Sequence, residues 1–227
     1  MPVIVHPAPP LDMTLAAPWR DVPVSIAVDL ARDIAQIDPA IRPLLPPGRQ
    51  PRLFGRAVTA LCEPPDFGAV LYALEEVGPG DVLVIAANGV REFAMIGEIL
   101  SGFLHARGGV GVVCDGAVRD VATLAGLKDF AVFTRFITPR GPSGGASGAV
   151  NVPVVIGGAR VAPGDLILGD DDGLVALSAR DQHERIGAAL AKVAKEAEWI
   201  AALKAGRSVA EVFGLAAPGR RLGEGLP

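Results

Sequence analysis

Between residues 79 and 136 the chain alternates short apolar runs with segments of helical spacing, and no other feature limits the fold as tightly. "DVLVIAA", "VGVVC" and "AVFTRF" are apolar throughout or nearly so, the pattern of strands buried on both faces of a sheet. Between the first two lies "REFAMIGEILSGFLHARGG", with Ile96, Ile99, Leu100, Phe103 and Leu104 at i, i+3, i+4, i+7 and i+8. This spacing predicts a helix with one apolar face, ended by Gly108 and Gly109. "RDVATLAGL" predicts a shorter helix before the third run. Strand, helix, strand, helix, strand at short connections implies an α/β fold with a parallel sheet and right-handed crossovers.

Upstream, "LFGRAVTALC" reads as a further strand and "FGAVLYALEEVGPG" as a helix closed by glycine. "VPVSIAVDLARDIAQI" places Ile26, Leu30, Ile34 and Ile37 at helical spacing, and the prolines of "DPAIRPLLPPGRQP" end that helix. The proline-rich first twenty residues read as an irregular arm. Downstream of the Gly/Pro/Ser-rich "TPRGPSGGASGA", read as a flexible surface loop, come four short strands. These are "VPVVI", "ARVA", "DLILG" and "LVALS", joined by Gly-Gly and Asp-Gly turns. Ser178 is placed to cap a long last helix whose Ile186, Leu190, Val193 and Ile200 form an apolar stripe. "PGDVLVI" at 79 to 85 echoes "PGDLILG" at 163 to 169, through one turn design used twice or through duplication. The organisation expected is an arm (1–21), a single domain (22–205) and a tail (206–227).

The 227 residues suffice for a substantial core, half of them are hydrophobic, and only 5% are aromatic, which suits closely packed layers. With 21 basic against 25 acidic residues and no basic cluster, the chain lacks the electrostatic footprint of a nucleic-acid binder. "MPVIVHPAPPLDM" has no signal-peptide pattern and no window reaches the apolar length of a membrane span, so a soluble, cytoplasmic protein is expected. Cys62 and Cys114 fall in apolar runs and read as reduced core residues. His6, His105 and His183 show no zinc spacing.

Charge concentrates where the second run ends, in "GVVCDGAVRD". Taken singly, each group has an ordinary explanation: Asp115-Gly116 as a turn, Arg119 and Asp120 as a salt bridge or helix cap, Glu98 as a favourable charge at a helix start. Together they read differently. Ligands of open parallel sheets bind beyond the carboxyl ends of the strands. If the two strands are neighbours, "GEIL" (97 to 100) faces Arg119 and Asp120 across a crevice. Free amides at a helix start and a guanidinium can hold one carboxylate between them, and Asp120 with Glu98 offers hard oxygen ligands to a hydrated divalent cation such as magnesium. "GPSGGASGAV" lacks the Gly-Lys-Ser/Thr ending of a phosphate loop, and "DDDG" at 170 to 173 is explained by a hairpin.

"GEIL", the twenty residues between Glu98 and Arg119, then "RD", with "VNVPVVIGG" and "PGDLILGDDDGLVALS" following in order, resemble the HMG/CHA aldolases and the RraA-like proteins that share their fold. The resemblance spans about residues 22 to 205. It implies a layered α/β/α fold with a central parallel or mixed sheet and a strand-rich C-terminal half ending in a long helix. It further implies a class II pyruvate aldolase using Mg²⁺ or Mn²⁺ on 4-hydroxy-2-oxo diacids such as 4-hydroxy-4-methyl-2-oxoglutarate or 4-carboxy-4-hydroxy-2-oxoadipate, with oxaloacetate decarboxylation as a further activity. Amides of Gly97, Glu98, Ile99 and Leu100 would bind the substrate carboxylate, Arg119 the pyruvyl oxygens, and Asp120 the metal; Glu98, where the family usually has aspartate, is the candidate base. The nearest lysine, Lys128, is expected in solvent, so imine chemistry is not favoured. Family members form trimers or doubled trimers. The alternative is a non-catalytic RraA-type regulator that binds a ribonuclease.

Overall fold

The computed structural model describes residues 2–30 and 36–216. In chain order its elements are β1 (Ile4–Val5), α1 (Met13–Ala16) with a 3-10 turn (Ala17–Trp19), α2 (Val24–Leu30), β2 (Arg42–Pro43), β3 (Leu53–Leu61), α3 (Gly68–Glu76), β4 (Asp81–Ile96), α4 (Glu98–Ala106), β5 (Gly111–Val118), α5 (Val121–Leu124), β6 (Ala131–Ile137), β7 (Ala149–Val150), β8 (Val154–Ile156), β9 (Ala159–Val161), β10 (Leu166–Asp170), β11 (Gly173–Leu177), α6 (Ala179–Lys204) and α7 (Val209–Phe213). Ile34, expected on the apolar face of α2, lies outside the described residues.

Strands β3, β4, β5 and β6 lie side by side and parallel, as the alternation of runs predicts. β2, β7 and β10 pair antiparallel at the margins, so the central sheet is mixed. Side chains of β4 alternate between faces. Leu83, Ile85 and Ala87 join a core with Val70, Ala73 and Leu74 of α3, Leu104 of α4 and Leu124 of α5. Val82, Val84 and Ala86 point the other way, onto Val154 and Ile156 of β8 and Ala159 and Val161 of β9. A third cluster packs α1, α2 and the start of α6 on Leu166, Leu168, Val175 and Leu177.

Two expectations about elements need correction. The apolar spacing around residue 96 does not belong to one helix: "REFAMI" continues β4, which bulges at three places and stays paired with β5 up to Ile96–Val118. Asn88 and Gly89, both at positive φ, begin that irregular stretch. Helix α4 starts only at Glu98, because partnership with β5 outweighs helical periodicity over six residues. The N-terminal arm is irregular and largely exposed over residues 6–12, as expected, but its last part folds into α1 and the 3-10 turn and packs. Trp19 and Ala16 are fully buried, and the Trp19 indole N–H donates to the carbonyl of Gln182 at 3.2 Å. Prolines punctuate such a segment, yet an indole with a partner for its N–H still belongs in a core.

The C-terminal half follows the sequence reading closely. Gly157 and Gly158, both at positive φ, turn β8 into β9. Asp171 and Asp172 turn β10 into β11. The acids of that turn accept backbone N–H groups: Asp170 from Val24 at 2.9 Å and Asp171 from Gly48 at 2.7 Å. Ser178 and Asp181 form a capping box at the start of α6. Among the described residues no helix is long and apolar enough to cross a membrane.

Candidate active site at the ends of two neighbouring strands

Pairing of Ile96 with Val118 brings the last residues of β4 and β5 side by side, so whatever follows each strand must meet. After β4 comes Gly97, the N-cap of α4. After β5 come Arg119, whose N–H donates to the Ile96 carbonyl at 3.1 Å, and Asp120, held at φ 56 as the N-cap of α5. Asp120 Oδ2 accepts the Glu98 backbone N–H at 3.0 Å, closing the joint. Arg119 Nε lies 3.5 Å from the same oxygen, and both side chains are about two-fifths exposed. Thr123 Oγ1 lies 3.5 Å from Glu98 Oε2, and Glu98 itself is exposed.

Glycines frame this geometry. A Cβ at Gly97 would fall 2.8 Å from Arg119 Cγ and one at Gly141 would fall 2.6 Å from Arg119 Nη1. In this conformation the Arg119 side chain passes close to both glycines, so a side chain at either would have to displace it. The expected cradle of four amides is divided. Asp120 takes that of Glu98, while Gly97, Ile99 and Leu100 have no acceptor for theirs among the described residues. Helix geometry leaves the first amides of α4 free for a ligand.

These groups open into a cleft of about 300 Å³. Gly97, Arg119 and Asp120 make its polar end, and Phe67, Leu71, Met95 and Pro142 line the remainder. Among the described residues no three His, Cys, Asp or Glu side chains gather to hold a metal ion. The donor set present, the Asp120 Oδ1 left free by the bonds above and the exposed Glu98, suits a hard cation that keeps most of its waters, as Mg²⁺ does.

The loop over the cleft is fastened, not flexible as its composition suggests. Asp66 accepts N–H groups from Gly68 at 2.8 Å, Ala146 at 3.0 Å and Ser147 at 3.2 Å. The Arg140 carbonyl accepts from Ala94, and Ser143 N–H donates to the Pro65 carbonyl, each at 2.8 Å. The amides of Ala146 and then Gly68 hold the Asp66 carboxyl below its ordinary range. Sequence reasoning passed over Asp66; its signal was an acid two residues ahead of a glycine that opens a helix.

Asp115 requires a correction. It is not in a turn and not in this cleft, but inside β5 and buried. Its Oδ1 accepts from Arg135 Nε at 2.7 Å and its Oδ2 from the Gly157 N–H at 2.9 Å, while Arg135 also reaches Asp38 at 2.6 Å. The acid thus ties the sheet to the β8–β9 turn. A wider cleft of about 480 Å³ by Arg56 and Asp81 sits at the opposite ends of the parallel strands, where open sheets do not carry their sites, and its charges neutralise each other. Cys62 and Cys114 are free and buried, and burial pushes the Cys62 thiol up to about 12.

Comparison with known proteins adds independent findings. Residues 24–176 match the family model RraA-like, described as Aldolase/RraA. A protein of Halalkalibacterium halodurans named "Putative 4-hydroxy-4-methyl-2-oxoglutarate aldolase" is 33% identical over 168 residues, covering 74% of this chain and 78% of that one. A crystal structure of an uncharacterized protein from Pseudomonas syringae pv. tomato superposes with a TM-score of 0.79 at 25% identity, covering 90% of this chain and 99% of its own. Streptomyces coelicolor RraAS2, described as an unusual member of the RNase ES inhibitor RraA protein family, gives 0.73 at 28% identity over 86% and 99%.

Proposed function

The chain belongs to the RraA-like aldolase family, and from that membership we propose that it is a divalent-metal-dependent carbon–carbon lyase releasing pyruvate from 4-hydroxy-2-oxo acids. The observation that carries the proposal is the meeting of the α4 N-terminus with Arg119 and Asp120 in one cleft.

The substrate carboxylate docks on the unpaired amides of Ile99 and Leu100, with the α4 dipole behind them. Arg119, which passes beside Gly97 and Gly141, directs its guanidinium at the 2-oxo oxygen, where negative charge develops as the C3–C4 bond breaks. Asp120 and Glu98 would hold Mg²⁺ or Mn²⁺, and such an ion would supply Lewis-acid polarisation of the 2-oxo group. Glu98, exposed at the start of α4, accepts the proton of the C4 hydroxyl as that carbon becomes a carbonyl. The same anchoring of a 2-oxo acid serves decarboxylation of oxaloacetate. The proposed substrates include 4-hydroxy-4-methyl-2-oxoglutarate, by analogy with the Halalkalibacterium relative's name.

Coupled detection of pyruvate from a panel of 4-hydroxy-2-oxo acids and oxaloacetate, with Mg²⁺ or Mn²⁺ and then with chelator, tests this. Release should stop with chelator and fall about 100-fold or more in Arg119→Ala and Asp120→Ala. The second reading, a protein-binding regulator, draws on the Streptomyces neighbour and its description as one of a family of RNase ES inhibitors. Absence of pyruvate from the whole panel together with tight binding to a ribonuclease would establish it instead.

A further inference from the structure

Resting on the lyase reading, we propose that Thr123 is a positioning residue for Glu98, holding its carboxylate where it receives the C4 hydroxyl proton. An exposed glutamate has several free torsions and no fixed direction of its own, and ordering it costs conformational entropy. Here α5 supplies the order. Glu98 stands first in α4, and Gly97 before it has no side chain with which to cap that helix. The neighbouring element does so instead: Asp120 Oδ2 accepts the Glu98 backbone N–H at 3.0 Å, and Thr123 Oγ1 donates to Glu98 Oε2 at 3.5 Å. One short helix start thus holds the residue at its backbone and at the far end of its side chain.

Thr123 is itself anchored. Its N–H and that of Leu124 both donate to the Asp120 carbonyl, at 3.0 and 3.1 Å, and Leu124 is buried in the first cluster. Branching at Cβ restricts χ1, so the hydroxyl leaves the helix in few directions. The bond to Glu98 is long and exposed, and what it contributes is direction rather than binding strength. In cleavage that direction counts. As the hydroxyl proton passes to Glu98, the O–H electron pair forms the new carbonyl and the C3–C4 pair becomes the pyruvate enolate, and the transfer requires the carboxylate within hydrogen-bond reach of the hydroxyl. Decarboxylation of oxaloacetate has no hydroxyl proton to move, so loosening Glu98 slows the first reaction and spares the second.

The experiment measures kcat and KM for the best 4-hydroxy-2-oxo acid of the panel and for oxaloacetate, at saturating Mg²⁺, in the wild type, Thr123→Val and Thr123→Ser. Binding of Mn²⁺ to each metal-free protein, followed by electron paramagnetic resonance, separates placement of the acid from its hold on a cation. Thr123→Val should lower kcat for cleavage about tenfold, a fraction of what a placed base contributes, with KM, Mn²⁺ affinity and oxaloacetate turnover unchanged. Thr123→Ser, which keeps the hydroxyl, should restore cleavage. Aspartate is one methylene too short to reach Thr123, so in a Glu98→Asp background Thr123→Val should add no further loss. Wild-type cleavage that Thr123→Val leaves intact, or slows together with oxaloacetate turnover or Mn²⁺ binding, or slows equally in the Glu98→Asp background, overturns this inference and leaves the lyase reading standing. No pyruvate from any 4-hydroxy-2-oxo acid in the wild type overturns both.

Discussion

Asp81 and Asp165 occupy turns built alike and yet carry opposite energetic consequences. Each follows Pro-Gly, with Gly80 and Gly164 at positive φ, and each accepts the N–H three residues earlier, Gly78 at 2.8 Å and Ala162 at 2.7 Å. The repeated "PGD" of the sequence thus makes the same turn at both places. Asp81 is also gripped by Arg56 through two bonds of 2.7 and 2.6 Å. Among the described residues no cation bonds Asp165, Arg160 acts on it only at a distance, and burial raises its carboxyl above the ordinary range. Asp81→Asn should cost about 3 kcal/mol, because Arg56 is left half-buried without its carboxylate. Asp165→Asn should leave Tm unchanged or raise it at pH 7. A carboxyl whose pKa is raised by folding destabilises the native state when ionised, so any gain must shrink as pH falls toward the ordinary value of 3.8 and vanish below it, where the acid becomes protonated folded and unfolded alike. Thermal melts of both variants at pH 7 and pH 4 check the pair of signs, and a loss of Tm in Asp165→Asn at pH 7 contradicts them.

At the scale of elements, the site depends on two joints. The first is α4 against the end of β5, where Gly97→Ala would drive a methyl into Arg119 and Asp120. Gly97 is in extended backbone, so alanine brings no strain of its own. We expect pyruvate-releasing activity to fall about 100-fold with the circular dichroism spectrum retained. The second joint is Asp66 and the loop. Its clamp is complete above the ordinary carboxylate pKa and is lost as pH falls below 3.8, since folding lowers this pKa. In NMR titrations the Ala146 and Ser147 amide shifts should stay fixed from pH 7 to about 4 and move together below it. Asp66→Ala should already show the low-pH positions at pH 7 and raise KM more than it lowers kcat. Of these joints, the first was legible in the sequence, since two apolar strands followed by Gly97 and by Arg119 and Asp120 can meet only if adjacent. The loop was not, because its composition signals turns and says nothing of an acid some eighty residues away. The start of α4 was misplaced for a related reason: over six residues, strand pairing and helical spacing leave the same apolar pattern.

For the whole molecule, continuous apolar runs were enough to fix the parallel centre, and capping at Ser178 the start of the last long helix. What a single chain's pattern does not reveal is which apolar surface is left over. Helix α6 has 26 residues, about 39 Å of length, yet only Gln182 and Ala189 are buried on it. Of its predicted stripe, Ile186 and Val193 pack on the third cluster, while Leu190 and Ile200 are 48% and 53% exposed. Helix α7 prolongs this surface: Phe213 lies 5.0 Å from Trp199, ring to ring, and Val209 and Leu215 stay exposed. Several large apolar side chains along one helix pair are costly to leave in water, while the charges of α6 pair among themselves, as Lys192 with Glu196 and Lys195 with Glu198. The face is therefore suited to another apolar face, and the occupant we expect is a further copy of the chain, in a trimer or doubled trimer. Light scattering after size exclusion should then give a multiple of 23.3 kDa. Leu190→Lys with Ile200→Lys, which removes no core contact, should lower that mass while the monomer's circular dichroism is kept. A wild-type chain that runs as a monomer, or a double variant of unchanged mass, places the subunit contact elsewhere or nowhere.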